Sequence, residues 1–326
     1  MSITKPPPRS LLRLEVAGLR SEAKGVVALE LRHPLGETLP AFDPGAHLEV
    51  HLPNGLVRHY SLSNSPAERD RYCIGVGLAP NSRGGSSFVH ESIRRGDRLL
   101  VSAPRNHFPL VTDAQAYCFV AGGIGITPLL SMIRWCIEHG KSWRLHYCVR
   151  SRQRAAFWEE LQSFDGAQEG LRLHADDEQA GRRFDPREAL LGLAADAPLY
   201  CCGPASLMSA VESATQQRPA GTVHFEWFAA KSAPAVEQRA FTVKLRSSGL
   251  ALDVGPGQTV LGVLEQHGVP VPASCREGSC GTCQTGVVAG VPDHRDSVLS
   301  AQQRAANDCM MVCVSRARSE ALVLDL

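Results

Sequence analysis

Several things are missing from this chain of 326 residues, and each absence excludes something. No apolar run approaches the roughly 20 residues needed to cross a bilayer as a helix, so no membrane partner is expected. The opening Met1-Ser2-Ile3-Thr4-Lys5-Pro6-Pro7-Pro8 has no apolar core of the kind a secretion signal carries. Charge of one sign is also lacking. Basic residues number 34 and acidic ones 33, and the resulting net charge of +1 provides no field to gather nucleic acid or an anionic surface. Internal repeats and low-complexity segments are absent. The 11 cysteines are an odd number for a disulfide framework, so a cytoplasmic, thiol-keeping compartment is expected. At 44% hydrophobic and 21% charged, the chain suits packed globular domains, and its length suits two or three of them.

The densest chemistry lies near the C-terminus. Cys275, Cys280 and Cys283 stand in the order C-x4-C-x2-C, and Cys313 lies in the apolar run Met310-Met311-Val312-Cys313-Val314. This spacing is that of plant-type [2Fe–2S] ligation, in which four thiolates converge on two irons. Gly278, Ser279, Gly281 and Thr282 are small enough to let the backbone close around such a cluster and aim N–H groups at sulfur. A four-thiolate zinc site competes, although zinc usually takes two short Cys-x2-4-Cys hooks. Cys309 rivals Cys313 as fourth ligand. It follows Asn307-Asp308 at an expected turn, whereas Cys313 is expected within the strand and is favoured. The other cysteines, Cys73, Cys118, Cys136, Cys148, Cys201 and Cys202, mostly occupy apolar runs as small buried hydrophobes.

From about Leu11 to Pro109 the pattern is of short strands broken by Gly and Pro turns: Leu12–Val16, Val26–Leu31, His47–Leu52, His59–Ser63, Tyr72–Val76 and Arg98–Ala103. An antiparallel β-barrel is expected, though pattern alone does not separate barrel from sandwich. Arg58-His59-Tyr60-Ser61-Leu62-Ser63 offers a guanidinium for a phosphate, a ring for stacking and hydroxyls for a polar edge. The loop Asn81-Ser82-Arg83-Gly84-Gly85-Ser86-Ser87 precedes a helical run, Phe88–Ile93, and presents N–H groups and hydroxyls at a positive helix end. An exposed strand and a plain capping loop are the simpler explanations.

After about Tyr117 the period changes to that of a parallel α/β domain. Tyr117–Ala121 reads as a strand, and Ala121-Gly122-Gly123-Ile124-Gly125-Ile126-Thr127-Pro128 as a glycine turn opening the helix Leu129–His139, with Thr127 and Pro128 suited to the N-cap and first helical position. Strand, glycine turn and helix start make a pyrophosphate cradle, although Pro128 replaces the third glycine of the dinucleotide fingerprint. Arg144–Val149, Leu171–Ala175 and Pro198–Cys202 read as strands, and Ala155–Phe164 and Ser206–Thr215 as helices. Cys201-Cys202-Gly203-Pro204 closes a strand end, where such sheets bind ligands. Val223-His224-Phe225-Glu226-Trp227-Phe228 reads as a last strand, gathering three aromatics in a chain with only 6%. Ala229–Gln238 has linker composition, and an α+β β-grasp domain follows: the strands Phe241–Leu245 and Ala251–Val254, the helix Val260–His267, then the cysteine loop.

The run Cys275-Arg276-Glu277-Gly278-Ser279-Cys280-Gly281-Thr282-Cys283, with Gly290-Val291-Pro292-Asp293-His294-Arg295-Asp296 after it, resembles the ferredoxin end of the phthalate dioxygenase reductase and vanillate O-demethylase reductase family. The resemblance covers nearly the whole chain, in the family's order of flavin, nucleotide and ferredoxin. It implies an FMN-binding β-barrel domain at 1–111, an NAD(P)-binding α/β parallel-sheet domain at 112–230, a linker at 231–238 and a [2Fe–2S] ferredoxin domain at 239–326. It implies that Arg58, His59, Tyr60, Ser61 and the loop Arg83, Gly84, Gly85, Ser86, Ser87 hold FMN, with the phosphate on Arg58, Ser86 and Ser87. By the same resemblance Gly122, Gly123, Gly125, Thr127, Pro128, Cys202, Gly203 and Pro204 hold the nucleotide, Cys202 beside the nicotinamide. Ser61, Cys202 and either Phe225 or Phe228 then stand at the reacting rings.

Nicotinamide yields two electrons together and a [2Fe–2S] cluster accepts one, so a flavin belongs between them. The chain has no Cys-x-His hooks for a Rieske centre and no facial triad, so oxygen activation is expected on a partner. The expected function is an electron-transfer reductase serving a terminal Rieske-type oxygenase, probing it through Arg276, Glu277 and Ser279, and acting as a monomer. A cytochrome or diiron acceptor, or an iron–sulfur sensor without enzymatic activity, are the alternatives. Coenzyme choice is in conflict. Where an acid would hold the ribose of NAD, the sequence reads Arg150-Ser151-Arg152-Gln153-Arg154, which suits the 2′-phosphate of NADPH. The resemblance favours NADH, and Asp176-Asp177-Glu178 reads as an exposed acidic turn that could touch a ribose.

Overall fold

The computed structural model describes residues 11–79, 82–179, 182–228, 239–299 and 301–326, so the expected linker 231–238 and Asn81 lie outside the described residues. The chain divides into two compact units, Met1–Glu226 and Trp227–Leu326.

The first unit begins with strands β1 (Leu11–Ala23), β2 (Val26–Arg32), β3 (His47–His51), β4 (Val57–Ser61) and β5 (Tyr72–Gly77), then helix α1 (Gly85–Ser92) and β6 (Arg98–Ser102). These strands form one sheet in the order β4-β3-β6-β1-β2-β5, antiparallel throughout. Its two outer strands meet again through the bridge Leu62↔Ile74, and this closure makes the sheet a barrel. Inside lie Leu14, Leu29, Leu31, Leu48, Leu62, Ile74 and Val101, alternate residues on their strands, as a period of two requires. The first strand runs well past the expected Val16, and register shifts at Val16/Gly18 and Ser21/Ala23 bend it.

The same unit continues with β7 (Ala116–Gly122), α2 (Ile126–Glu138), β8 (Ser142–Val149), α3 (Trp158–Gln162), α4 (Ala167–Gly170), β9 (Leu171–Ala175), α5 (Arg187–Leu190), β10 (Leu199–Cys202), α6 (Ala205–Ala214) and β11 (Val223–Glu226). The five strands form a parallel sheet in the order β11-β10-β7-β8-β9. Three expectations are corrected here. The helix expected over Ala155–Phe164 shrinks to α3, because Phe157 is buried in the core and held at φ 59°, outside helical geometry. Thr127 does not cap α2: a turn of 3-10 helix, Gly123–Gly125, runs straight into it, and the Thr127 hydroxyl donates to Ile124 O at 3.0 Å. Finally, β11 stops at Glu226, so Phe228 stands beyond the strand and is exposed.

The second unit comprises β12 (Phe241–Leu245), β13 (Ala251–Val254), α7 (Val260–Gln266), β14 (Gln284–Ala289), β15 (Pro292–Asp293), α8 (Ala301–Ala306), β16 (Cys309–Met311), β17 (Arg316–Ala317) and β18 (Ala321–Leu324). Its five-stranded sheet, β13-β12-β18-β14-β16, is mixed, because β12 and β18 run parallel. The Thr259 hydroxyl accepts from Gly262 N at 3.0 Å to cap α7, whose Val260, Leu261, Val263 and Leu264 pack on the sheet in the β-grasp arrangement. One strand expectation reverses. Cys309 opens β16, and Cys313 lies in the turn after it.

Candidate functional site: a buried barrel–sheet junction and a four-thiol nest

On β4, Arg58 and Tyr60 share the face of their register partners Val50 and Leu48, while His59 and Ser61 share the face of Glu49 and His47. The ring of His59 packs on that of His47 with centroids 5.4 Å apart. Arg58 donates from Nη2 to Arg83 O and from Nη1 to Val57 O, both at 2.8 Å. This lays the guanidinium against the loop before α1. A Cβ on Gly85 would come within 2.4 Å of Arg58 Nε, and Gly84 is at φ 82°, so both glycines are needed for the approach. Ser86 and Ser87 are tied to Ser82, at 3.0 Å through the Ser86 hydroxyl and 3.3 Å through the Ser87 N–H. No side chain caps α1, so a guanidinium, an uncapped helix start and two hydroxyls share one place. These residues fit a phosphate. Burial pushes the Tyr60 hydroxyl up to about 12, leaving it a neutral ring with a donor at its tip.

The other face of β4 meets the sheet. Ser61 Oγ lies 3.4 Å from Glu226 Oε2 on β11, and Cys202 Sγ on β10 lies 4.0 Å from the same oxygen. Register explains the meeting, since Cys202 and Glu226 are direct partners at the carboxyl ends of β10 and β11. Glu226 is partly buried as a residue, but its carboxylate is enclosed, and desolvation pushes it up to about 8. The Cys202 thiol has no exposure and is pushed well up, first by burial and then by Glu226. Neither group is charged near neutrality. The junction is therefore a cluster of uncharged polar groups, with Ser61 and Cys202 buried. Sequence reading passed over Glu226. The available signal was a carboxylate inside the aromatic run His224–Phe228, where an unpaired charge is costly. Phe225 points to the opposite face, beside Cys201.

The glycine turn has two jobs. A Cβ on Gly125 would lie 2.2 Å from Cys202 O, one on Gly122 would lie 2.4 Å from Pro204 Cδ, and one on Gly203 would lie 2.9 Å from Gly122 Cα. These three glycines let the turns after β7 and β10 touch backbone to backbone. Gly123 differs: at φ +52° with nothing within 4 Å, it faces open space at the head of α2. Pro128 lies buried in the first turn of α2, where its missing N–H costs little.

In the second unit the cysteine loop and the turn after β16 bring four sulfurs together. Cys275 interacts with Cys280 and Cys313, and Cys283 interacts with Cys313. Cys280, Cys283 and Cys313 are almost wholly buried. Hydrogen bonds, first from Cys280 and then from Cys313, pull the Cys275 thiol far down, and Glu277 N–H also donates to its sulfur at 3.3 Å. Cys309 instead interacts with Asp308 and Gln284. The expected reason for preferring Cys313 was wrong even though it is Cys313 that joins the loop: a turn residue can aim its sulfur back, whereas Cys309 is committed to its place in the strand. Among the described residues no three His, Cys, Asp or Glu side chains are grouped around a single ion. The four thiols form one run of contacts, Cys280 to Cys275 to Cys313 to Cys283, a donor set that fits a [2Fe–2S] cluster. Gly278 and Gly281, at φ 68° and 69°, let the loop fold this tightly. Arg276 is exposed, yet Glu265 clasps it at 3.1 and 2.6 Å.

Comparison with known proteins agrees with this geometry. Residues 243–318 match the model of the 2Fe-2S iron-sulfur cluster binding domain, and residues 119–213 that of the oxidoreductase NAD-binding domain. The chain is 45% identical to phenoxybenzoate dioxygenase subunit beta of Ectopseudomonas oleovorans, over 96% of this chain and 97% of that one. It is 42% identical to phthalate dioxygenase reductase of Burkholderia cepacia, over 99% and 100%. A solved phthalate dioxygenase reductase, described as modular for electron transfer from pyridine nucleotides to [2Fe-2S], superposes with a TM-score of 0.73 at 42% identity, over 97% and 98%. An intact type IV self-sufficient cytochrome P450 monooxygenase superposes with a TM-score of 0.88 at 37% identity, and this chain spans 41% of its length. The chain is thus an oxidoreductase with NAD-binding and [2Fe–2S] domains, and it belongs to the phthalate dioxygenase reductase and vanillate O-demethylase oxidoreductase family.

Proposed function

We propose that this chain is the reductase of a bacterial Rieske-type ring-oxidising or demethylating oxygenase, working as a cytoplasmic monomer that takes electrons from NADH and delivers them to that partner. When bound, NADH supplies two electrons together, FMN holds one or two, and the [2Fe–2S] cluster passes them singly. Residues 1–111 form the flavin domain, 112–230 the nucleotide domain and 239–326 the ferredoxin domain. Arg58, with Arg83, Gly84, Gly85, Ser86 and Ser87, holds the FMN phosphate, and Tyr60 and Ser61 line its ring. Gly122, Gly123, Gly125, Thr127 and Pro128 receive the pyrophosphate of NADH, and Cys202, Gly203 and Pro204 border its nicotinamide. Glu226 fixes the Ser61 hydroxyl at the reacting edge, and Phe228 rather than Phe225, which faces away from that edge, covers the ring when nicotinamide is absent. Cys275, Cys280, Cys283 and Cys313 bind iron.

The observation that carries this reading is the convergence of Ser61, Cys202 and Glu226, which joins the barrel to the carboxyl ends of two nucleotide-sheet strands. At such a junction a ring held by the barrel can meet a ring held at the strand ends of the sheet. Anaerobic titration with NADH should bleach a flavin band and produce the rhombic low-temperature EPR signal of a reduced [2Fe–2S] centre. A colourless protein carrying zinc would reject the relay. A second reading has a specific support: tetrachlorobenzoquinone reductase of Sphingobium chlorophenolicum is 43% identical over 98% of this chain. Quinone reduction that survives removal of the cluster, with no transfer to any oxygenase, would favour it.

A further inference from the structure

In a parallel nucleotide-binding sheet, the residues after the strand next to the glycine turn meet the adenosine ribose. Here that strand is β8, and the residues after it are Arg150, Ser151, Arg152, Gln153 and Arg154. An arginine there normally welcomes a 2′-phosphate, which disagrees with NADH as the coenzyme. The structure accounts for where two of the three arginines go. Arg154 is turned toward the barrel, its Nη1 within 3.8 Å of the position of a Cβ on Gly25, and Gln153 O accepts from Lys24 N at 2.8 Å. Arg152 is held by a carboxylate from the next strand end: Nε and Nη2 donate to Glu178 Oε1 and Oε2, both at 2.8 Å. Its guanidinium carbon also lies 6.0 Å from the centre of the Trp158 ring. The two turns are tied together, because Asp177 N donates to Arg150 O at 3.2 Å.

We propose that Glu178 is the coenzyme-selecting residue, clasping Arg152 in a two-point ion pair that withholds it from the 2′-phosphate of NADPH and so leaves NADH as the preferred donor. The inference rests on the NAD-binding assignment above. Glu178 fills the Nε–Nη2 edge of the guanidinium, so a 2′-phosphate must either displace it or bind at the Nη1 side next to its carboxylate. Lying beside it brings a group of nearly two negative charges against a carboxylate. The pair is exposed, with side-chain exposures of 53% and 45%, so it adds little to folding and its loss leaves the fold intact. An exposed pair suffices because selectivity needs only the difference between two nucleotides.

The test uses the whole flavin- and cluster-loaded protein and two probes, 5′-ADP and 2′,5′-ADP, measured by calorimetry, beside kcat/KM for NADH and NADPH. Glu178→Gln should tighten 2′,5′-ADP by about tenfold, the effect of one like charge removed near a phosphate, and leave 5′-ADP unchanged. The NADPH to NADH ratio of kcat/KM should rise by a similar factor. Adding Arg152→Gln to that variant should erase the gain. If Glu178→Gln leaves 2′,5′-ADP binding as it was, or if the double variant keeps the gain, the clasp is overturned while nucleotide binding stands. If the unaltered protein binds neither probe nor NADH, the nucleotide assignment fails, and the clasp with it.

Discussion

Replacing Glu226 with glutamine tests the electrostatics of the junction directly. Glutamine keeps the shape and a hydrogen bond to Ser61 but cannot ionise. The wild-type carboxyl is pushed up from 4.5 to about 8 by burial. A carboxyl with a raised folded-state pKa contributes stability that is fully present below 4.5 and is lost as pH climbs through 8, because across that window the native state binds a proton that the unfolded chain has released. The shift of about 3.5 units corresponds to at most about 5 kcal/mol at 1.36 kcal/mol per unit. Partial exposure of the residue reduces this to roughly 2 kcal/mol. The glutamine variant should therefore gain on the wild type by about 2 kcal/mol between pH 4.5 and 8 and hold that advantage above it. Urea unfolding followed by tryptophan fluorescence reports mainly on the right unit, since three of the four tryptophans, Trp135, Trp143 and Trp158, belong to it. An infrared carboxyl band titrating near 8 in the wild type, and missing in the variant, locates the proton. A difference in stability that is flat from pH 5 to 8, or a band that titrates below 6, would refute the buried neutral carboxyl.

Two further outcomes follow from distances. Cys313→Ser should abolish iron binding and the EPR signal, whereas Cys309→Ser should retain both, because only Cys313 reaches the loop sulfurs; iron assay and EPR on both variants check this, and the opposite pattern would exchange the two residues. Gly125→Ala should cost about 3 kcal/mol or more through its clash 2.2 Å from Cys202 O, while Gly123→Ala should cost about 1 kcal/mol, for left-handed backbone alone; melting temperatures would separate the two, and equal losses would mean that the turns do not pack as described.

What the sequence disclosed was whatever is encoded by spacing along the chain. The C-x4-C-x2-C loop, the glycine turn and the alternating strands of the barrel depend on near neighbours, and all of them appear at the expected places. What it concealed depends on register between distant strands. Cys202 and Glu226 are 24 residues apart and meet only because β10 and β11 align them. Ser61 is 165 residues from Glu226 and reaches it only because the closed barrel turns that end of β4 toward the sheet. Helix boundaries failed for a related reason. At Phe157, burial of a large ring outweighs the helical preference of its neighbours, a tertiary effect that local periodicity does not contain.

The same distinction explains why the arginines after β8 were misleading as a sequence signal. A residue's type sets what it can bind, but its availability is set by what already holds it. Arg152, Arg58 and Arg276 have identical chemistry, and the structure treats them differently. Glu178 and Glu265 fill the forks of Arg152 and Arg276 with carboxylate oxygens. Arg58 is braced only by the backbone carbonyls of Val57 and Arg83, which fix its direction without cancelling its charge. Of the three, Arg58 alone is oriented with its full charge available to an anion, and it lies beside an uncapped helix start. The phosphate site of this reductase is therefore better located by asking which guanidinium is held without being neutralised than by counting arginines in a motif.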